Sequence, residues 1–286
     1  MRVAIDMDFI NKIIFGDCEK ILKKFPDKSI DLIFTSPPYA DARRRTYGGV
    51  APDEYVDWFL SKAEQFLRVL KPTGTFVLNI KERVVKGERH TYVIELIMRI
   101  KQQGWLWTDE FIWHKKNPFP GKWPNRFRDG WERLLQFNRQ RKFNMYQEAV
   151  MIPPSDATKA CALRLTDADK TRRKIKTGSG LDSRLSSCVN RNMVYPTNVI
   201  YMATESWNRG HSAVFPIDLP IWFIKLFTVK GDIVLDPFIG SGTTAVAAKQ
   251  LGRNYVGVDI LKKSCLLAEE RITQIKKYYD NTLTTN

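Results

Sequence analysis

The apolar positions of this chain follow two rhythms that alternate along its first third. "KIIFGD" (12–17) is a short β-branched run that stops at Gly16 and Asp17, and "CEKILKKF" (18–25) follows it with helical spacing. "IDLIFT" (30–35) is an apolar run of strand length. In "DEYVDWFLSKAEQFLRVL" (53–70) the residues Val56, Phe59, Leu60, Ala63, Phe66, Leu67 and Leu70 recur every three or four positions, which predicts a helix with one buried face. Pro52 stands where a first-turn proline is tolerated, and "KPTG" closes the helix. "TFVLNI" (75–80) predicts a buried strand, "YVIELIMRIKQQG" (92–104) a helix stopped by glycine, and "LWTDEFIWHK" (106–115) a further strand. Strands alternating with helices predict an α/β fold with a mostly parallel sheet.

After residue 116 the rhythm fades. "NPFPGKWPNRFRDGW" (117–131) is loop-like, "RLLQFN" (133–138) has strand character, and 150–195 shows no clear period, with "KTRRKIKTGSG" (170–180) the loosest piece. Order returns over 215–260 as helix, strand, glycine turn, helix and strand. A last helix, 262–278, is expected to turn Leu266, Leu267, Ile272 and Ile275 inward.

Charge gives the irregular middle a meaning. The 286-residue chain has a formal net charge of +15, and between Lys115 and Tyr195 there are 18 Lys and Arg against 7 Asp and Glu, a net of +11. A concentration of this kind points to a polyanion, nucleic acid first. Lys115, Lys116, Arg126, Arg128, Arg172, Arg173 and Lys174 are the candidate phosphate contacts. A hydrophobic content of 43% and an aromatic content of 12% suffice for a packed core. No apolar run approaches the roughly 18 residues that cross a bilayer. The acids in "MRVAIDMDFINK" are foreign to a signal peptide, so a cytoplasmic protein is expected. Cys18, Cys161, Cys188 and Cys265 lack paired spacing and read as free thiols, with no metal site expected.

Two stretches carry chemistry. In "IDLIFTSPPYADARRR" (30–45) the strand runs into Pro37 and Pro38, which cannot donate to a ladder and fix their own φ. Tyr39 is left at the strand's tip beside Arg43, Arg44 and Arg45, which are placed to hold phosphates. In "DIVLDPFIGSGTTAVAAKQLGRNYVGVDI" (232–260) a strand ends in Asp236, the turn Gly240-Ser241-Gly242 opens a helix, and a second strand ends in Asp259. Glycines let backbone approach a ligand, and a helix N-terminus favours electron-rich groups. Asp259 is spaced to accept hydrogen bonds from a ribose diol. Gly240-x-Gly242-x-x-Ala245 also satisfies the dinucleotide fingerprint, so the motif indicates an adenosine-containing cofactor without saying which.

Taken together, the two stretches resemble the DNA amino-methyltransferases that use S-adenosyl-L-methionine. The Asp-Pro-Phe-x-Gly-Ser-Gly-Thr-Thr cofactor loop of those enzymes is matched at 236–244 and their Ser-Pro-Pro-Tyr catalytic loop at 36–39. The order, with the catalytic loop first, the basic variable region next and the cofactor loop last, resembles their β group. "GD" (16–17), "IWHKKNPFP" (112–120) and "HSAVFPIDLP" (211–220) are similar to further family segments, with Ser212 in place of a usual proline. The resemblance implies a class I methyltransferase fold, a Rossmann-like mostly parallel sheet with an inserted target-recognition region. Residues 1–116 and 196–286 would form the catalytic and cofactor-binding domain, and 117–195 the basic recognition region. It implies that Asp17, Phe215, Asp236, Phe238, Gly240, Ser241, Gly242, Thr243 and Asp259 bind the cofactor, and that Ser36, Pro37, Pro38 and Tyr39 carry catalysis.

That chemistry has a physical logic in these residues. An exocyclic amino group is a poor nucleophile because its lone pair is delocalised into the ring. The Ser36 hydroxyl and the Pro37 carbonyl can accept its two hydrogens and draw them out of plane, with the prolines holding the carbonyl still. The target base must leave the duplex, at a cost of a few kcal/mol, and stacking on Tyr39, worth about 1–3 kcal/mol, recovers part of it. No metal or covalent enzyme intermediate is required, and no Pro-Cys loop suggests cytosine C5 chemistry. Family members with Ser before Pro-Pro-Tyr mostly act on cytosine N4 and those with Asp on adenine N6, so cytosine N4 is expected, with adenine N6 as the alternative. Double-stranded DNA is the expected substrate and RNA a variant, while a functional pairing with a restriction endonuclease is left open by the sequence. More distant readings are a nicotinamide-dependent oxidoreductase, for which His90, His114 and His211 show no clear partnering, and a non-catalytic DNA-binding protein on the same scaffold.

Overall fold

The computed structural model describes residues 7–41, 48–118, 120–121, 124–163, 193–204 and 215–283. Arg43, Arg44, Arg45, Arg172, Arg173, Lys174 and the segment 211–214 lie outside them. The fold is α/β, built on a large sheet of strands β1 (Lys12–Phe15), β2 (Ile30–Thr35), β3 (Leu70–Ile80), β6 (Leu106–Lys115), β7 (Trp131–Asn138), β8 (Val199–Met202), β9 (Ile233–Asp236) and β10 (Asn254–Asp259). A separate hairpin pairs β4 (Val84–Val85) with β5 (Glu88–Arg89). The sheet order is β1-β10-β9-β2-β3-β7-β6-β8. Every neighbouring pair is parallel except the two that β7 makes, with β3 and with β6.

β2 is buried at all six positions, as a central parallel strand covered on both faces must be. Its acidic Asp31 is tolerated because Lys71 Nζ reaches one oxygen at 2.6 Å and the Ile233 backbone N–H donates to the other at 3.0 Å. The helix Pro52–Val69 has its proline in the first turn, with Asp53 and Glu54 at the positive end of its dipole. It buries Tyr55, Val56, Phe59, Ala63 and Phe66 against the sheet. Phe66, Phe76 and Phe137 are fully buried together with Trp105, each aromatic burial contributing about 1.5–3 kcal/mol.

Three details differ from the sequence reading. β3 begins at Leu70, directly at the helix end, because residues 70–74 continue extended beside β2 with a register shift between Ile30 and Leu32. The strand foreseen at 133–138 is β7, and it lies inside the main sheet. The chain forms two compact units, Met1–Met145 with Asn198–Asn286 and Tyr146–Thr197, so β7 and the loop before it belong to the larger. The smaller contains the helix Asp156–Leu163 and an isolated bridge between Ile152 and Val194. In the last helix, Lys262–Leu283, Leu266 is exposed rather than inward, and Ser264, Cys265, Ala268 and Ile272 form the buried face. The small residues win that face because Gly242 closes on Ala268: a Cβ at Gly242 would lie 2.8 Å from the Ala268 Cβ. Among the described residues, no helix is long and apolar enough to cross a membrane.

Candidate active site

In a parallel sheet the carboxyl ends of the strands share one edge, where α/β folds place their ligands. Here β1, β10, β9, β2, β3, β6 and β8 all end there, and β7, running the opposite way, begins there. The two motif loops leave from adjacent strands, since β2 pairs with β9 through Leu32 to Val234 and Ile33 to Leu235. Thr35 Oγ1 donates to Asp236 Oδ1 at 2.6 Å, joining residues 201 apart in sequence. Ser36-Pro37-Pro38-Tyr39 and 237–242 therefore start side by side.

Asp236 is only 2% exposed. One carboxylate oxygen takes the Thr35 hydroxyl and the Phe238 N–H (3.1 Å), and the other takes the Thr244 hydroxyl (2.6 Å). Burial pushes its pKa up to about 6, against the opposing pull of these donors. Asp236 thus holds the loop in shape from beneath. Asp259 accepts the Gly240 N–H at 3.0 Å and the Leu261 N–H at 2.8 Å, pinning the same loop from the next strand. Gly240 and Gly242 both have positive φ, +52° and +87°, but for different ends. Gly242 is required by close packing on Ala268, whereas a Cβ at Gly240 would meet nothing nearer than the Phe238 carbonyl at 3.9 Å. The space in front of Gly240 is open for a ligand.

The rest of the cofactor set is placed as follows. Ser241 and Thr243 are gripped by Arg271 of the last helix, whose guanidinium donates to the Ser241 carbonyl (2.7 Å), the Ser241 hydroxyl (2.8 Å) and Thr243 (3.1 Å). Asp17 caps the helix Cys18–Leu22 by accepting from the Glu19 and Lys20 N–H groups, and the neighbouring Gly16 N–H binds the Asp259 carbonyl. Phe238 packs near Trp58 (5.8 Å between centroids), and Phe215 meets Phe34 edge-on (5.5 Å). Phe15 and Ile260 are 58% and 57% exposed at the ends of β1 and β10, an apolar surface beside Asp259 that sequence reasoning passed over.

At the catalytic loop, Pro37 is buried and Ser36 half-buried. Ser36 Oγ donates to the Tyr39 hydroxyl at 3.3 Å, and that hydroxyl donates to Glu132 Oε2 at 2.6 Å, with Asn79 Oδ1 at 3.2 Å. Asn79 Nδ2 donates to Glu132 Oε2 (3.2 Å) and to the Arg133 carbonyl (3.1 Å). Burial, then the nearby Glu132 charge, pushes the Tyr39 phenol well above its ordinary pKa, so it stays protonated. Glu132 and Asn79 drew no attention as sequence; only the reversed direction of β7 brings Glu132 to this edge.

The basic residues separate. Lys115 turns inward, with Nζ 2.5 Å from Glu132 Oε1 and 5.1 Å from the Trp113 ring centroid. Lys116 is exposed beside a cavity of about 350 Å³ that it lines with Tyr201, Thr204 and Asp218. Arg128 is exposed. Arg126 lines a cavity of about 570 Å³ with Tyr39, Ala40, Lys81, Arg83 and Asp129. There Asp129 gathers Lys81 (2.9 Å), Arg89 (3.0 Å) and Arg126 (3.3 Å). Partial burial would raise the Asp129 pKa, but these cations outweigh it and hold it at about 2. Arg83 donates to the Ala40 carbonyl (3.4 Å), so this cationic wall touches the end of the catalytic loop.

The family model for DNA methylase of the N6/N4 methyltransferase type matches residues 30–270. The type II methyltransferase M.PvuII of Proteus hauseri is 30% identical over 91% of this chain and 86% of its own length. Among solved structures, the cytosine-N4-specific PvuII DNA methyltransferase superposes with a TM-score of 0.66 at 24% identity, covering 96% of this chain and 93% of the other. The complex of M1.HpyAVI with SAM gives a TM-score of 0.59 at 20% identity, covering 91% and 98%.

Proposed function

The chain belongs to the N6/N4 DNA methylase family, and we propose that it methylates the exocyclic N4 of cytosine in duplex DNA, with S-adenosyl-L-methionine as donor. The observation that carries this reading is the Thr35–Asp236 hydrogen bond, which sets the catalytic loop and the glycine loop side by side. The residues present suit the donor: space for close approach at Gly240, a helix N-terminus, a carboxylate at a strand end, and apolar Phe15 and Ile260 beside it. When bound, S-adenosyl-L-methionine supplies a sulfonium methyl group, already electrophilic enough to need no metal.

The chain's own residues do the rest. Ser36 Oγ and the Pro37 carbonyl accept the amino hydrogens, pyramidalise the nitrogen and aim its lone pair. Tyr39 offers the ring on which the extruded base stacks. The cavity beside it, rimmed by Lys81, Arg83 and Arg126, accommodates the phosphates that flank that base. Asp17, Phe215, Phe238, Asp259 and the 240–243 loop hold the donor, with Asp236 and Arg271 shaping the loop. The basic residues of 117–195 outside β7 read the target sequence. The relationship to a type II methyltransferase supports a protective pairing with a restriction endonuclease.

The test is direct. Incubation with unmethylated duplex DNA and S-adenosyl-L-methionine, followed by nucleoside mass spectrometry, yields N4-methyldeoxycytidine with the wild type. Ser36→Ala lowers the yield about 10²-fold or more while DNA is still bound. N6-methyldeoxyadenosine as the product would overturn the base assignment and leave the mechanism. Donor binding without methyl transfer to any DNA would overturn the substrate.

A further inference from the structure

The catalytic loop is tied to a buried ion pair by a chain of hydrogen bonds. Ser36 donates to Tyr39, Tyr39 donates to Glu132, and the second oxygen of Glu132 holds Lys115. The Lys115 and Glu132 side chains are only 15% and 10% exposed. Trp113 lies under the ammonium group, and Asn79 braces the carboxylate from the side. The pair is built by strand direction. β6 ends at Lys115 on the carboxyl edge, β7 starts there, and the ladder sets Glu132 opposite Trp113.

Direction is what this chain transmits. A phenol has one proton, and the 2.6 Å contact with a carboxylate takes it. The Tyr39 oxygen is then left as an acceptor, and the Ser36 proton goes to it. With its proton committed, Ser36 can offer a substrate only lone pairs. A serine free to rotate would present its proton as often, and would meet the amino hydrogens of the base donor to donor. The lysine of the "IWHKKNPFP" segment, read in sequence as a phosphate contact, thereby acquires a different task.

We propose that Glu132 and Lys115 are positioning residues for methyl transfer, which through Tyr39 fix the Ser36 hydroxyl so that it presents lone pairs to the amino group being methylated. This rests on the function proposed above. It concerns the rate of transfer, not the affinity for DNA or donor.

Three variants of the full chain test it, each assayed for kcat, KM for duplex DNA, donor affinity and thermal unfolding. Tyr39→Phe keeps the stacking ring and removes the link, so kcat falls roughly ten- to hundredfold, as expected for a hydrogen bond to a charged group, with KM and unfolding unchanged. Glu132→Gln also lowers kcat, since an amide NH2 replaces one of the two carboxylate oxygens, and only one of Lys115 and Tyr39 keeps the acceptor it faces. Adding Lys115→Met to Glu132→Gln frees the remaining oxygen for Tyr39 and restores most of the loss. A purely structural pair would not give this rescue in kcat at constant KM. Wild-type kcat in Tyr39→Phe, or no rescue in a double variant that unfolds like the wild type, overturns the proposal while leaving the enzyme assignment standing. No methyl transfer by the wild type overturns both.

Discussion

Asp236 and Asp129 are carboxyls of opposite temper, and the difference sets how stability responds to acid. Burial raises the Asp236 pKa to about 6. Its native state therefore holds a proton that the unfolded state releases near the ordinary carboxylate value of about 4. Its contribution is fully present below about pH 4 and is lost as pH rises through 6. Asp236→Asn removes that component, so the stability of wild type relative to the variant, followed by denaturant titration, should decline from pH 4 to 6 and level off above. Asp129, held at about 2 by Lys81, Arg89 and Arg126, works the other way. Its contribution is present above about pH 4 and is lost as pH falls towards 2. Asp129→Asn should therefore cost stability at pH 7 and cost progressively less in acid. At this scale the sequence was legible in placement, since the structure brings Ser36, Tyr39, Gly240 and Asp259, singled out by residue type and spacing, to one edge of the sheet. It was opaque where a side chain's meaning lies in its neighbour. Lys115 read as a phosphate contact although it turns inward to Glu132, and nothing near Glu132 in sequence says that a tyrosine 93 positions away will donate to it.

The two glycines of the cofactor loop show how one element can meet two demands. At Gly242, which N-caps the helix Thr243–Gln250, an added Cβ would press into Ala268 at 2.8 Å with φ at +87°. Gly242→Ala should destabilise by about 1–3 kcal/mol, visible as a lowered thermal midpoint. At Gly240 the backbone is also left-handed but the space is open. Gly240→Ala should cost only about 1 kcal/mol of stability while weakening donor binding in calorimetry. Equal effects at both positions would mean that the space at Gly240 takes no ligand. Element types were readable from periodicity because long amphipathic helices and buried strands have distinct periods. What periodicity could not give was partnership. Nothing local reveals that β7 inserts between β3 and β6, since that placement is decided by pairing with strands 57 and 25 residues away (Leu78 with Leu135, and Glu110 with Leu135) in a ladder only the fold assembles. Leu266 misled for a related reason: the helix turns Ala268 towards Gly242, where a larger side chain would not fit, and that orientation leaves Leu266 outside.

Across the molecule, positive charge converges on the edge where the chemistry sits, with Lys81, Arg83 and Arg126 lining the cavity beside Tyr39 and Arg89 joined to it through Asp129. Each cation that neutralises a DNA phosphate adds about 0.9 to the slope of log affinity against log salt. Arg89→Ala, on the exposed hairpin strand β5, should reduce that slope by about this amount and leave donor binding intact; an unchanged slope would remove Arg89 from the DNA surface. The pairing of β1 with β10 has a consequence of its own. Lys12 finds its partner in Val256, 244 positions later, and β2 waits almost as long for β9. At about 5–20 residues per second, a ribosome needs roughly 10–50 s to deliver those partners after the first strand has emerged. Throughout that interval the nascent chain carries unpaired apolar strand edges into a crowded cell. A sheet whose first strand is completed by one of its last is thus a natural client for chaperones, and its yield in expression should depend on elongation speed and temperature more than its final stability would suggest.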